Sequence, residues 1–184
     1  MDTFKMSLKD KILVFDTETT ALLKTVNDID KFYILQLSWI VYDEITNSIV
    51  SENDFILKSP VPITNSHIHQ ITDEISAKGY EFSEIIDIFL EDVKNCDKIV
   101  GYNLNFDLNG LEIELDRLGR YQDIDLLFEK PYTDPMKDYA CFFNTKYLKL
   151  IDLYRKLFGE GFKAHNALQD VRATLRVYLT LNKK

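Results

Sequence analysis

An uninterrupted apolar run, Ile12-Leu13-Val14-Phe15, is followed at once by Asp16-Thr17-Glu18-Thr19-Thr20. Four large apolar residues in a row read as a strand covered on both faces. Side chains alternate along a strand, so Asp16 and Glu18 point to the same side. Two acids on one face repel each other at neutral pH, and either a proton or a cation must relieve them. Hard cations such as Mg²⁺ or Mn²⁺ prefer carboxylate oxygen. Taken alone, Asp-x-Glu is short and common, and a strand end emerging into a polar turn is the better reading of it.

Two later blocks also set acid into segments that otherwise read as core. Lys98 to Asn103 reads as a short strand, and Leu104 to Leu118 as a helix with the stripe Leu104, Leu108, Leu111, Leu115 and Leu118. Gly119 is its expected terminator. Asp107 lies three residues after Leu104 and four before Leu111, on the buried stripe, although a first-turn acid is also favoured by the helix dipole. Glu112, Glu114 and Asp116 fall mostly off the stripe and are expected in solvent. In the third block, Ala164-His165-Asn166-Ala167-Leu168-Gln169-Asp170, Asn166 has the features of an N-cap, with Gln169 completing a capping-box pattern. Asp170 falls in the opening turns of the helix that follows. His165 precedes the cap on a loop, where a histidine can serve as a general base or have no task at all.

The rest of the chain supports one α/β domain spanning residues 1–184. Strands are expected near 11–18, 32–43 and 48–57, with Leu35, Leu37, Trp39 and Val41 on one face of the second. Asn47-Ser48 is the expected turn between the second and third. A helix is expected over Phe82 to Val93. Three strands followed by alternating helix, strand and helix imply a mixed sheet flanked by helices. Residues 121–147, with Pro131, Pro135 and many aromatics, read as a packed irregular loop or a flap over the site, the loop being favoured.

Together the three blocks resemble the DEDDh 3′–5′ exonucleases of the ribonuclease-H-like superfamily, which include proofreading subunits of bacterial DNA polymerases and RNase T-type enzymes. The likeness runs from about Lys11 to Leu181. Asp16-Thr17-Glu18-Thr19-Thr20 is similar to the first motif, Asn103-Leu104-Asn105-Phe106-Asp107 to the second, and His165 to Asp170 to the third. The resemblance implies a ribonuclease-H-like mixed β-sheet flanked by helices and two divalent ions, Mg²⁺ or Mn²⁺. Asp16, Glu18 and Asp170 would hold the first. Asp16 would bridge to the second, with Asp107 nearby, and His165 would deprotonate the attacking water. It also implies that Thr19, Thr20, His69, Asn103 and Phe106 contact the terminal nucleotide. Three positions depart from the family pattern and bear on substrate preference. Ala21 replaces a glycine, Tyr102 a frequent histidine, and Asp134-Pro135-Met136 an Asp-Thr-aliphatic stretch. Gln70 likewise stands where a glycine is usual.

The net charge of −8 is unusual for a nucleic-acid enzyme, but it is unevenly spread. Residues 1–136 hold 12 Lys and Arg against 26 Asp and Glu, whereas residues 137–184 hold 10 against 4. Lys137, Lys146, Lys149, Arg155, Lys156, Lys163, Arg172 and Arg176 are therefore the expected phosphate contacts, or simply a solvated basic face. Cys96 and Cys141 give neither a disulfide framework nor a metal spacing, so a cytoplasmic setting is expected. No segment is apolar enough for a membrane span, and Met1 to Lys11 lacks a signal-peptide core.

The function these features imply is metal-dependent 3′–5′ removal of nucleoside monophosphates from single-stranded DNA or RNA. A proofreading form requires a DNA polymerase or other replication or repair protein as partner. Because no binding tail is evident after Leu181, a free-standing nuclease, or one recruited through its folded surface, is expected. The alternatives are a silent module that binds nucleic-acid ends or a protein, and a hydrolase of small phosphodiesters.

Overall fold

The computed structural model describes residues 10–22 and 26–182. Among the described residues, five strands form one mixed sheet: β1 (Lys11–Thr19), β2 (Ile34–Asp43), β3 (Ser48–Ile56), β4 (Lys98–Val100) and β5 (Tyr132–Thr133). Their order is β3-β2-β1-β4-β5. β1 pairs antiparallel with β2 and parallel with β4, so the strand carrying the first acidic block is the central one. The helices are α1 (Ser66–His69), α2 (Asp73–Ser76), α3 (Phe82–Lys94), α4 (Leu104–Arg117), α5 (Tyr121–Glu129), α6 (Pro135–Phe142), α7 (Leu150–Phe158) and α8 (Ala167–Leu181). A 3₁₀ turn covers Val26–Lys31.

Strand alternation divides the core. Leu13, Phe15, Leu37, Trp39 and Val41 pack with Ile85, Ile86 and Phe89 of α3 and Leu104, Leu108, Leu111 and Leu115 of α4. Ile12, Val14, Ile40 and Tyr42 face the other way, onto Val171, Leu175 and Tyr178 of α8. The expected double covering of β1 is therefore present, and every side chain from Ile12 to Phe15 is at most 1 % exposed. Tyr102, Tyr139, Leu153, Tyr154 and Val177 join α6, α7 and α8 into a third cluster.

Four expectations change. Leu35 does not share the face of Leu37, because the β1–β2 register shifts at Glu18/Thr19, opposite Gln36 and Ile34. Ile34 takes the core position instead, and Leu35 packs with Ile63 and Ile71. Glu114 is buried rather than solvated, with its Oε1 accepting the Ile34 N–H at 3.0 Å and its Oε2 3.2 Å from Arg117. Leu118 is exposed, because α4 ends there and Gly119 takes φ +69°. Residues 121–147 are mostly not a loop, since they contain α5, β5 and α6.

Candidate active site

β4 stops at Val100, opposite Val14 of β1. The Asp97 N–H donates to the Lys11 carbonyl, so by alternation the backbone groups of residues 13, 15 and 17 face the β4 side. Thr17 has no strand partner on that side. Asp107, in the first turns of α4, fills the gap: its Oδ1 accepts both the Thr17 N–H at 3.0 Å and the Thr17 hydroxyl at 2.6 Å. Asp107 is 3 % exposed.

Asp16 and Glu18 continue the face of Ile12 and Val14, toward α8. There they meet Asp170, and each of the three residues offers a carboxylate oxygen within 4.8 Å of the others. Asp170 is oriented by its own helix start, where its Oδ2 accepts the N–H groups of His165 (2.8 Å) and Asn166 (3.2 Å). The Asn166 side chain caps α8 by accepting the Gln169 N–H at 3.2 Å, as expected. The returning acceptor of the expected capping box is thus Asp170 rather than Gln169.

The electrostatics are one-sided. Burial raises the Asp16 carboxyl well above its ordinary range, and Asp107, Asp170 and Glu18 push it further. Burial, then Asp170 and Asp107, lift Glu18 to about 8. Asp107 rises to about 7 through burial, against the lowering effect of the Thr17 hydrogen bonds. Asp170 rises to about 6 by burial, opposed by the His165 and Asn166 N–H groups. Burial and neighbouring carboxylates all favour the proton on Asp16 and Glu18, and no cation among the described residues offsets their charge. Hard oxygen donors, close spacing and uncompensated charge fit a divalent cation.

His165 is exposed and left-handed at φ +64°, on the loop directly before Asp170's helix. His69 is buried. Its Nδ1 accepts the Ile71 N–H at 3.1 Å, and its Nε2 is buried without a hydrogen-bond partner. Burial lowers its pKa, as do His67 and His165. Lys163, two residues before His165, donates to the Gln70 side chain at 3.3 Å, so the two histidine-bearing segments lie side by side. Phe106 is half-buried, its ring edge-on to Phe32 at 6.1 Å. Asn103 is exposed and left-handed at φ +58°, immediately before α4. Thr19 donates its hydroxyl to the Ala21 carbonyl at 2.9 Å. The Thr20 hydroxyl is committed to the fold, donating to the Lys31 carbonyl at 2.6 Å and accepting the Tyr33 N–H at 2.8 Å.

One organiser escaped the sequence reading. Asp134 is 3 % exposed and caps α6 by accepting the Met136 N–H at 3.1 Å. It also accepts the Asn103 and Leu104 N–H groups, at 3.1 and 3.3 Å, and so fixes the turn that aims Asp107. The Asp-Pro pair at a helix start was the available signal.

A covered mixed sheet with a carboxylate cluster at the end of its central strand defines a ribonuclease-H-like nuclease fold. The chain belongs to the RNase T family of exonucleases, whose family model matches residues 13–178. It is 25% identical over 181 residues to the DNA polymerase III PolC-type protein of Mycoplasma genitalium, and 27% identical over 169 residues to that of Thermotoga petrophila. These matches cover 94% and 91% of this chain but only 11% of each relative. Among solved structures, the nuclease domain of 3′hExo, a DEDDh family member bound to rAMP, superposes with a TM-score of 0.76 at 16% identity, covering 95% of this chain and 92% of that one. Exonuclease X, in complex with 5′ overhanging duplex DNA, gives 0.64 at 20% identity, covering 92% and 90%. No helix among the described residues is long and apolar enough to cross a membrane.

Proposed function

We propose that this chain is a metal-dependent 3′–5′ exonuclease that releases nucleoside monophosphates from single-stranded DNA or RNA ends, and that residues 1–184 form one such domain. The observation that carries this reading is the convergence of Asp16, Glu18 and Asp170 within 4.8 Å, with no cation among the described residues to balance Asp16 and Glu18. In this reading these three carboxylates hold Mg²⁺ or Mn²⁺, and Asp107 completes the site from the α4 side. Two such ions, when bound, supply charge neutralisation at the scissile phosphate and acidify a water.

The chain's own residues do the rest. Asp170 takes the His165 N–H, which sets the loop so that the His165 imidazole can receive the proton of the attacking water. The unpartnered His69 Nε2, the Phe106 ring, Thr19 and Asn103 form the seat of the terminal nucleotide. Thr20 contributes there through the backbone it fixes, because its hydroxyl is engaged elsewhere. The PolC-type relatives favour work beside a DNA polymerase or another replication or repair protein. Free Cys96 and Cys141 suit a reducing cytoplasm.

The test is incubation with 5′-labelled single-stranded DNA and RNA of matched sequence, with Mg²⁺, with Mn²⁺ and with EDTA. A metal-dependent ladder shortening from the 3′ end is expected, and the faster substrate identifies the preferred nucleic acid. Intact bands in every lane, from folded protein that binds the metal, would leave a binding module in place of an enzyme.

A further inference from the structure

The basic residues of residues 137–184 are not equivalent once placed. Arg172 is held by Glu52 at 2.9 and 2.5 Å, Arg176 by Glu160 and Tyr154, and Arg155 lies 3.9 Å from Asp152. These arginines serve the fold. Lys146 and Lys149 are exposed in the segment between α6 and α7. Every residue from Cys141 to Tyr147 is exposed.

Three large aromatics share that surface: Phe142 is 83% exposed, Tyr147 63% and Phe143 53%. The two phenylalanines are anchored from below. Phe143 stacks at 4.6 Å on the buried Tyr139, and Phe142 stands edge-on to Phe143 at 4.9 Å. Lys137, Lys146 and Tyr147 line one groove there, together with Ala140, Cys141 and Thr145. Lysines interleaved with exposed rings, in a chain of net charge −8, match a polyanion that carries flat bases. A protein partner fits less well, because lysine is depleted in protein interfaces.

The surface is built onto the second motif. Lys137 donates to Asn105 of α4 at 3.2 Å, and Asp134 holds the starts of both α4 and α6. Tyr102, beside Asn103, donates to the Leu148 carbonyl at 2.6 Å. α6 then runs about 12 Å outward from Asp134 to the aromatic group.

We infer that Phe142, Phe143 and Tyr147, with Lys146 and Lys149, form a stacking platform for the part of a single strand lying 5′ of the nucleotide in the site. This rests on the exonuclease reading above. The platform holds substrate and takes no part in cleavage, so its contribution grows with strand length.

The test compares the intact chain with a variant carrying Phe142→Ala, Tyr147→Ala, Lys146→Gln and Lys149→Gln, all at exposed positions. Binding of oligothymidylates and oligouridylates of about 2, 4, 8 and 12 nucleotides is measured with Ca²⁺ over a salt series. Hydrolysis of the p-nitrophenyl ester of thymidine 5′-monophosphate reports the site itself. The expected result is unchanged hydrolysis of the ester and equal affinity for the shortest strand. Affinity for the longest strand should fall at least fivefold, with a salt slope smaller by about 1.4, or 0.7 for each lysine removed. A variant with wild-type length dependence overturns the platform and gives the face to a protein partner. A wild type whose affinity does not rise with length overturns it equally. Failure of the wild type to cleave ester or oligonucleotide would instead overturn the exonuclease reading, while the binding series still decides the platform.

Discussion

Replacing Glu18 by Gln should make the metal-free protein more stable. Burial and the carboxylates of Asp170 and Asp107 raise Glu18 from 4.5 to about 8. At pH 7 the folded chain therefore keeps a proton there that the unfolded chain has released. A raised carboxylate contributes fully below its unfolded value, and the contribution is lost as pH climbs toward the folded value. Between 4.5 and pH 7 the loss is up to about 3 kcal/mol, at 1.36 kcal/mol per unit. Gln is nearly isosteric and permanently neutral, so it removes that loss. For a domain of this size the gain corresponds to roughly 6–12 °C in Tm at pH 7. The assay is thermal unfolding in EDTA at several pH values. The gap between variant and wild type should be small near pH 5 and widest near pH 8. Excess Mg²⁺ should raise the wild-type Tm and leave the variant nearly unmoved. Equal Tm values at pH 8 in EDTA, or a gap that does not widen with pH, would refute the assignment of Glu18 to an uncompensated acidic cluster.

Three other outcomes are expected. Because Asp170, Asp107 and Glu18 lie at about 6, 7 and 8, Mg²⁺ affinity should rise with pH across that range and binding should release protons, as calorimetry in buffers of different ionisation enthalpy measures; an affinity independent of pH contradicts this. Asp170→Asn and Asp170→Ala should both abolish nuclease activity, but only Ala removes the acceptor for the His165 and Asn166 N–H groups, so urea unfolding should find it about 1–3 kcal/mol less stable than Asn. His165→Ala should slow single-turnover cleavage at least about a hundredfold with oligonucleotide affinity retained, and a loss of affinity at an unchanged rate would remove the general-base role.

The sequence disclosed what depends on local chemistry. The apolar run of β1, the leucine stripe of α4 from Leu104 to Leu115, the Asn166 cap and the three acidic blocks each follow from neighbouring residues, and each stands in the structure where the pattern put it. What stayed hidden depends on partners distant in sequence. Glu114 looks like a solvent acid until β2 brings the Ile34 N–H against it, 80 residues away. Asp134 looks like a turn residue until the two helix starts it serves are adjacent. Residues 121–147 defeated periodicity because α5 and α6 have only 9 and 8 residues, too few turns for a stripe to repeat. The bulge that turns Leu35 away from Leu37 is masked in β2, because both faces are buried from Ile34 to Tyr42 and only Gln36 and Ser38 interrupt the apolar residues there.

The shortness of β4 has a consequence for any experiment on the second acid. A three-residue strand leaves the ladder along β1 unfinished at Thr17, and the carboxylate of Asp107 mends the break. In the proposed reading, one carboxylate is thus both a peg in the architecture and a charge beside the metal site. An Asp107→Ala exchange leaves the Thr17 N–H without its acceptor at the same time as it removes the charge. Only Asn keeps an oxygen acceptor there while removing the charge, and altering Thr17, whose hydroxyl also donates to the same oxygen, weakens the peg while leaving the charge in place.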